Sequence, residues 1–533
     1  MKINLPNLKA CILNLSKIEQ AFLAFFLLVF CLLLIENTLY GSFNILNFRS
    51  VDDYGFHIIL RAKHEKLLRL DILDLLEINN NGYGWLFWII HVIITFPFFL
   101  IGLLGYEAPL ITVARNISLF FMAASCVNLF LISKKYTKDK YIPYFILLCF
   151  ISFPYFAYAA LSFRTIAQMI FFSSLAFYLC IKNDHPNKQN LKYIALAVAA
   201  CIATKPTGVI ILPVIGIILG EKLNWEINRP NLEITGYFIK ILSIATILLS
   251  NPSLVLAVFK WDIFAKYYNT LKEFSIVANS NYGGNYDFWF NFSHSIYGPF
   301  MYPFILFFLL LATFLKGINK REFIFIGLFL IFSTLLTVHI FRPNTGSITN
   351  YLSAISFLVP LGLIYFEKLK RKYLILTIFI TLNVFLNLDN IKHRFFEYFT
   401  KYKDDQELII EQQKLKQIID REKHDHVLLL TDISGPMIFS PFNKKASIIT
   451  ALNNYNEIPG IYDYIILRKD RISVSHSQKA QHKIQKADLH IQEQYHKSRT
   501  YIETLLSEGA FHGHYYKKIY ESEHNILLRR VSI

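Results

Sequence analysis

The chain reads as an all-α polytopic membrane protein of about eleven transmembrane helices, followed by a small C-terminal α/β soluble domain. Three observations predict this. Hydrophobic residues make up 54% of the 533 positions, with 49 Phe and 31 Tyr among them. Charged residues are 17%, against about 25% in soluble domains. The apolar residues also gather into runs such as AFLAFFLLVFCLLLI (21–35) and FILFFLLLATFL (304–315), near the roughly 20 residues with which a helix crosses a bilayer.

The first run follows Lys2, Lys9 and Lys17, as a secretory signal would. Its apolar stretch is long, however, and the following IENTLYGS lacks a small-residue cleavage site, so it reads as an uncleaved first span. A net charge of +16 would suit nucleic acid, but the basic residues recur between spans as orientation signals, so no nucleic-acid partner is expected. All six cysteines (Cys11, Cys31, Cys126, Cys149, Cys180, Cys201) lie at the N-terminus or within spans, none at a zinc spacing. Neither a disulfide framework nor a cysteine metal site is indicated.

Segment WLFWIIHVIITFPFFLIGLL (85–104) is ambiguous. If it crosses the membrane, the basic loops KKYTKDK (134–140), KNDHPNKQNLK (182–192), KGINKRE (316–322) and EKLKRK (367–372) fall on the outer side. If it lies in the outer interface, all four join the N-terminus in the cytoplasm, as the positive-inside rule favours. His91 and Pro97 interrupt the run, and Trp85 and Trp88 suit an interface. Spans are then expected near 19–37, 110–132, 142–160, 165–182, 191–204, 207–220, 235–257, 297–315, 322–340, 350–366 and 372–389. The short pair around KPTG (205–208) fits helices broken where they border a cavity.

This arrangement gives a transmembrane domain over 1–390, with a first outer loop and juxtamembrane helices at 38–109, and an outward-facing domain over 391–533. A bacterial inner (plasma) membrane with a periplasmic C-terminus is the expected setting. In the tail, HVLLLTD (426–432), DYIILR (463–468) and NILLRRV (525–531) read as strands, and EQQKLKQIIDREK (411–423) has helical spacing. Residues 470–500, rich in Lys, Gln and His, read as solvated.

The polar residues placed at the outer ends of the spans are the candidates for chemistry. Asp52, Asp53 and His57 lie in RSVDDYGFH (49–57), and Arg115 near the start of the second span. Arg164 follows in LSFRT, Lys205 in TKPTG and Arg342 in HIFRPNTG. Ionisable groups at such depth are costly and mark function. Cations on separate helices suit a phosphate or diphosphate at the lipid surface. A carboxylate nearby suits a general base for an incoming hydroxyl or amine. Each has a plainer reading as well: an Asp pair suits a turn, Arg115 and Arg164 suit snorkelling, and Arg342 suits a loop. Lys205 breaks an otherwise apolar stretch and points more firmly to function. His57 stands four residues after Asp53, on one face if the segment is helical. In the outer loop 258–296, Lys260, Lys266, Tyr267 and Tyr268 suit closure over a lipid carrier.

In their order, these motifs resemble the GT-C superfamily of polytopic glycosyltransferases. Within it the likeness is to the protein-mannosyltransferase and lipid A aminoarabinose-transferase group, over roughly residues 15–390. Asp52-Asp53 in SVDDYGFH stands where that group carries an acidic pair after its first span. GLLGYEAPLITVARNISLFF (102–121) is similar to its arginine-bearing span, with Arg115 matching, and CIATKPTGVIILP (201–213) to its lysine break, with Lys205 matching. NYLSAISFLVPLG (350–362) is similar to a late segment of the group with a tyrosine and a proline. The resemblance implies a polyprenyl-phosphate sugar donor, a lipid, glycan or protein acceptor, and inversion at the sugar carbon. It also implies an acidic residue that activates the acceptor or binds a divalent cation (Mg or Mn), for which Asp52 and Asp53 are the candidates. On this reading Lys205, Arg115, Arg164 and Arg342 face the donor phosphate, while Asp52 or Asp53 is the base and His57 orients it or the acceptor. Two departures stand out: NNNGYGWLFW (79–88) replaces an expected His/Lys-Pro-Pro stretch, and LSFRT offers Arg164 where the group has a second acidic residue. Two other functions remain open, a flippase of lipid-linked sugars and a lipid-linked glycan polymerase or ligase. The first should show internal repeats and the second a long late outer loop with paired arginines.

Overall fold

The computed structural model describes residues 16–43, 51–71, 75, 84–102, 108–252 and 354–395, and parts of the tail between 411 and 531. The expected spans at 297–315 and 322–340 and the outer loop 258–296 lie outside the described residues. The chain divides into two compact units. One comprises Met1–Leu39, Ile58–Leu100 and Thr112–Glu397, the other Tyr40–His57, Ile101–Ile111 and Tyr398–Ile533.

The first unit is helical. Its elements begin with α1 (Lys17–Phe43), α2 (Val51–Leu68, whose first turns group with the other unit), α3 (Trp85–Gly102) and α4 (Ala108–Tyr136). They continue with α5 (Ile142–Ile151), α6 (Pro154–Leu161), α7 (Ile166–Lys182), α8 (Lys188–Thr204), α9 (Ile211–Lys222) and α10 (Arg229–Ser250). The last are α11 (Leu358–Leu361), α12 (Lys372–Leu386) and α13 (Leu388–Phe395). Among the described residues, three helices are long and apolar enough to cross a membrane: Lys17–Thr38, Leu110–Tyr136 and Arg229–Ser250. α1 and α10 leave apolar side chains such as Leu27, Leu28, Leu32, Ile239, Ile247 and Leu248 exposed, as a lipid-facing helix would. α4 is the more central helix: Met122 and Leu129 are buried, and Asn128 donates to Ser174 on α7 at 3.1 Å.

Two expected spans take other forms. The segment 142–160 is not one helix but α5 and α6, meeting at 69°. Pro154 is the cause, because the residue before a proline is driven out of the helical region. Phe153 accordingly sits at φ −69°, ψ 130°, and α6 starts afresh at Pro154. Ser152 fastens the bend, donating to Cys149 O at 2.7 Å and accepting from Asn383 of α12 at 3.0 Å. The segment 350–366 is described from 354 as turn, the single turn α11 and a 3-10 stretch, Gly362–Lys368, rather than a regular helix. The break at KPTG takes the expected form: α8, a 3-10 turn over Pro206–Ile210, then the short α9.

In the second unit the tail forms a six-stranded mixed sheet of order β2-β1-β3-β6-β5-β4. The strands are β1 (His426–Thr431), β2 (Lys445–Thr450), β3 (Tyr464–Arg468), β4 (Ala510–Phe511), β5 (His514–Glu521) and β6 (Asn525–Arg530). β1 is parallel to both β2 and β3, while β6 pairs antiparallel with β3 and β5. Tyr464 to Leu467 are all buried, which explains the unbroken apolar run in β3. Leu415 and Ile418, both helical, pack on Tyr464, Ile466 and Leu527. At the sheet surface Glu521 lies against Lys469 and Lys518, whose ammonium groups hold its carboxyl down at about 2.

Candidate functional site

Contacts within the first unit sort its charges into two ends. Lys140 pairs with Glu19 at 2.9 Å, Thr137 donates to Glu367 at 2.7 Å, and Tyr373 donates to Asp139 at 2.8 Å. Lys372 also pairs with Asp139, Lys135 reaches Asp184 at 3.0 Å, and Lys222 donates to the Asn183 carbonyl. Residues 19, 135–140, 183–184, 222, 367 and 372–373 therefore share one end, as the charge pattern requires when 85–104 does not cross. α4 and α7 finish at this end and α8 starts there, so their other termini, with Arg115, Arg164 and Lys205, lie at the opposite end.

Each of those cations is set by local sequence. Lys205 precedes Pro206, so it leaves the helix at φ −156°, ψ 138° and ends α8. Its charge lies at the carbonyl pole of that helix, where a cation is favoured. The side chain is buried, and the Gly208 amide donates to the Lys205 carbonyl at 2.9 Å to close the turn. Gly208 has no room for a side chain, since a Cβ there would stand 2.5 Å from the Cys201 carbonyl oxygen. Arg164 sits on the bend between α6 and α7, half-buried, with its guanidinium 5.1 Å from the centre of the Tyr158 ring. Arg115 is fully buried in α4. The next residue, Asn116, accepts a hydrogen bond from Asn37 of α1 at 2.9 Å, and the carboxylate-bearing Glu36 is buried beside it.

One helix face touches the neighbours of all three cations. The Gly84 amide, at the mouth of α3, donates to the carbonyl of Thr204 at 3.2 Å, immediately before Lys205. Phe87 stacks on Phe163, immediately before Arg164, and His91 meets the same ring at a tilt, with ring centres 5.7 and 4.7 Å away. His91 also interacts with the backbone of Ala114, immediately before Arg115. Its Nδ1 lies 2.8 Å from the Phe87 carbonyl and 3.4 Å from Gln168 Nε2. Phe87 and His91, four residues apart, share one side of α3, and Gly84 immediately precedes that helix. On the same helix Thr95 donates to the His91 carbonyl at 2.6 Å and meets His64 Nε2 at 3.0 Å, which docks α2 on α3. Burial, only partly offset by the Val92 carbonyl, pushes the His64 imidazole down to about 4.

The remaining expected residues are placed as follows. Asp52, Asp53 and His57 lie in the first two turns of α2, in the part that groups with the second unit. The segment is helical from Val51, so Asp53 and His57 stand one turn apart. Arg342, Lys260, Lys266, Tyr267 and Tyr268 lie outside the described residues. Among the described residues no three His, Cys, Asp or Glu side chains gather as metal ligands. Gly84, Phe87, His91, Gln168 and the Asn37–Asn116 pair were not among the expected site residues. For His91 in WLFWIIHVII the signal was a polar side chain inside an apolar stretch; Phe87 carried none, being one aromatic among many.

No family model and no curated protein matches the chain. Among solved structures it is similar to the crystal structure of ArnT from Cupriavidus metallidurans bound to undecaprenyl phosphate, at 13% identity and a TM-score of 0.46. The alignment covers 67% of this chain and 63% of that one, so the chain spans somewhat less than two thirds of that protein's length.

Proposed function

We propose that the protein is a membrane glycosyltransferase that moves a sugar from a polyprenyl-phosphate donor to a lipid, glycan or protein acceptor. The reaction takes place on the outer face, periplasmic in a bacterial inner membrane. The observation that carries this reading is the placement of Arg115, Arg164 and Lys205 at the end of the helical unit opposite its lysine-rich loops. Cations drawn from separate helices to one end of an apolar bundle suit a phosphate held at the lipid surface.

In the transfer, Asp52 or Asp53 takes the proton from an acceptor hydroxyl or amine as that atom attacks the sugar's anomeric carbon. The bond from that carbon to the phosphate oxygen breaks, and its electron pair leaves with the polyprenyl phosphate. Lys205 and Arg115, with Arg164 and Arg342, neutralise the charge that develops on the leaving group. Attack from the face opposite the phosphate inverts the anomeric carbon. His57 orients the base or the acceptor, and Lys260, Lys266, Tyr267 and Tyr268 close over the carrier lipid. Asp52 and Asp53 are also the carboxylates that would hold a divalent cation, and none of these steps is routed through it.

The test is transfer from a polyprenyl-phosphate sugar by the protein reconstituted in liposomes, with Asp52→Asn and Asp53→Asn prepared separately and together. At least one single variant should lose transfer while still inserting and still binding the donor. Full transfer by the double variant overturns the assignment of the base. Donor movement across the bilayer without transfer would instead identify a flippase. Glycolipids compared between cells with and without the protein would name the sugar and acceptor. A reporter fused after Tyr136 should read cytoplasmic and one at the C-terminus should read exterior; an exterior signal at 136 overturns the orientation.

A further inference from the structure

The donor-phosphate reading leaves open what holds cations from three helices at a fixed spacing. Two of them, Lys205 and Arg164, sit at helix breaks, where their own helix does not brace them. We infer that the Gly84–Phe87–His91 face of α3 is the positioning element of the donor-phosphate site, so that the start of α3 sets donor affinity without touching the donor. This inference rests on the proposed function.

Gly84 carries most of the argument. Its contact with α8 is backbone to backbone: a Cβ at position 84 would stand 1.7 Å from the Ala203 carbonyl oxygen and 3.2 Å from the Ala203 Cα. Neither atom belongs to a flexible side chain, so any residue larger than glycine must part the start of α3 from the last turn of α8. Lys205 is the next residue but one and has no helix of its own to resist the push. The other side of that loop is tight as well, with Gly208 against Cys201. The loop that carries Lys205 is therefore clamped between two glycine contacts, one of them made by α3. Phe87 and His91 extend the same face to the segments of Arg164 and Arg115, through the Phe163 ring and the Ala114 backbone. These are positioning residues, acting through the cations.

The experiment is a double-mutant cycle between Gly84→Ala and Lys205→Ala, read as donor KM and kcat with a polyprenyl-phosphate sugar. Gly84→Ala should raise donor KM by on the order of tenfold or more, with a smaller change in kcat. In the Lys205→Ala background the same substitution should change donor KM by less than about twofold, because the group it displaces is gone. A purely structural role for Gly84 gives the same factor in both backgrounds and overturns the inference. So does an unchanged donor KM in folded Gly84→Ala protein. If Gly84→Ala does not insert, His91→Gln paired with Arg115→Ala supplies the same cycle on the other part of the face, with the same two outcomes. The two levels separate cleanly. If Lys205→Ala leaves donor KM unchanged, the donor-phosphate reading falls and the inference with it. If Lys205→Ala raises donor KM and Gly84→Ala does not, only the inference falls.

Discussion

The two ends of the helical unit spend charge differently. At the lysine-rich end, Glu19, Asp139 and Asp184 each face a lysine from another segment. These pairs fasten loops to one another at the water boundary. Asp139 shows the device at its tightest. Burial would raise its carboxyl, yet Lys372, the Tyr141 backbone and the Tyr373 hydroxyl together hold it below its ordinary value. At the other end Arg115 is buried within α4 and Lys205 at the break that ends α8, and the Gly84 amide donates to the Thr204 carbonyl immediately before Lys205. Loss of an exposed tie such as Lys135–Asp184 costs little, whereas an ionisable group withdrawn into a bundle is costly to keep there. Charge therefore fastens loops at one end and, on the proposed reading, meets the donor phosphate at the other.

The largest test of that contrast is Lys205→Met. It should weaken donor binding by about 2 kcal/mol, roughly thirtyfold in KM, with little change in thermal unfolding. An equal loss from Lys135→Ala would erase the distinction between the ends. Asp139→Ala should do the reverse, lowering unfolding stability in detergent by about 2 kcal/mol and leaving donor KM alone. Between these ends, His64 should give a pH signature. Its folded value of about 4 lies below its ordinary 6.5, so its contribution is complete above 6.5 and is lost as pH falls toward 4. Hydrogen exchange over residues 58–68 should report a loosening of about 1–2 kcal/mol within that window, absent in His64→Leu. Smallest of all, Lys135→Ala should move stability by less than about 0.5 kcal/mol, because both partners of its pair with Asp184 are exposed.

What the sequence disclosed follows from which physics acts locally. Apolar runs located α1, α4, α7, α8 and α10, because spanning a bilayer demands length and hydropathy in one contiguous stretch. Strands β1, β3 and β6 were legible for the same reason: each is an apolar run. β5, HYYKKIYE, was not, since its lysines and tyrosines carry no clean alternation and its partner β6 supplies the order. The bend at Phe153 was signalled by Pro154, but the hydrophobicity on both sides hid it. Arg115, Arg164 and Lys205 stood out as charges in apolar surroundings. The role of α3 did not, because contacts at Thr204, Phe163 and Ala114 join segments far apart in the chain. Within α2, the register of Asp53 and His57 followed from spacing once the segment proved helical.

The Gly84 contact also has a hereditary side. It is made by an amide and a carbonyl, with no side chain from either partner. The side chains of Ala203 and Thr204 take no part in it, so the letters there are free of this contact. A single codon change at position 84 that adds one methyl group would end it. In distant relatives the arrangement would then be recorded by one persistent glycine ahead of an apolar helix, where a search for shared side chains sees nothing.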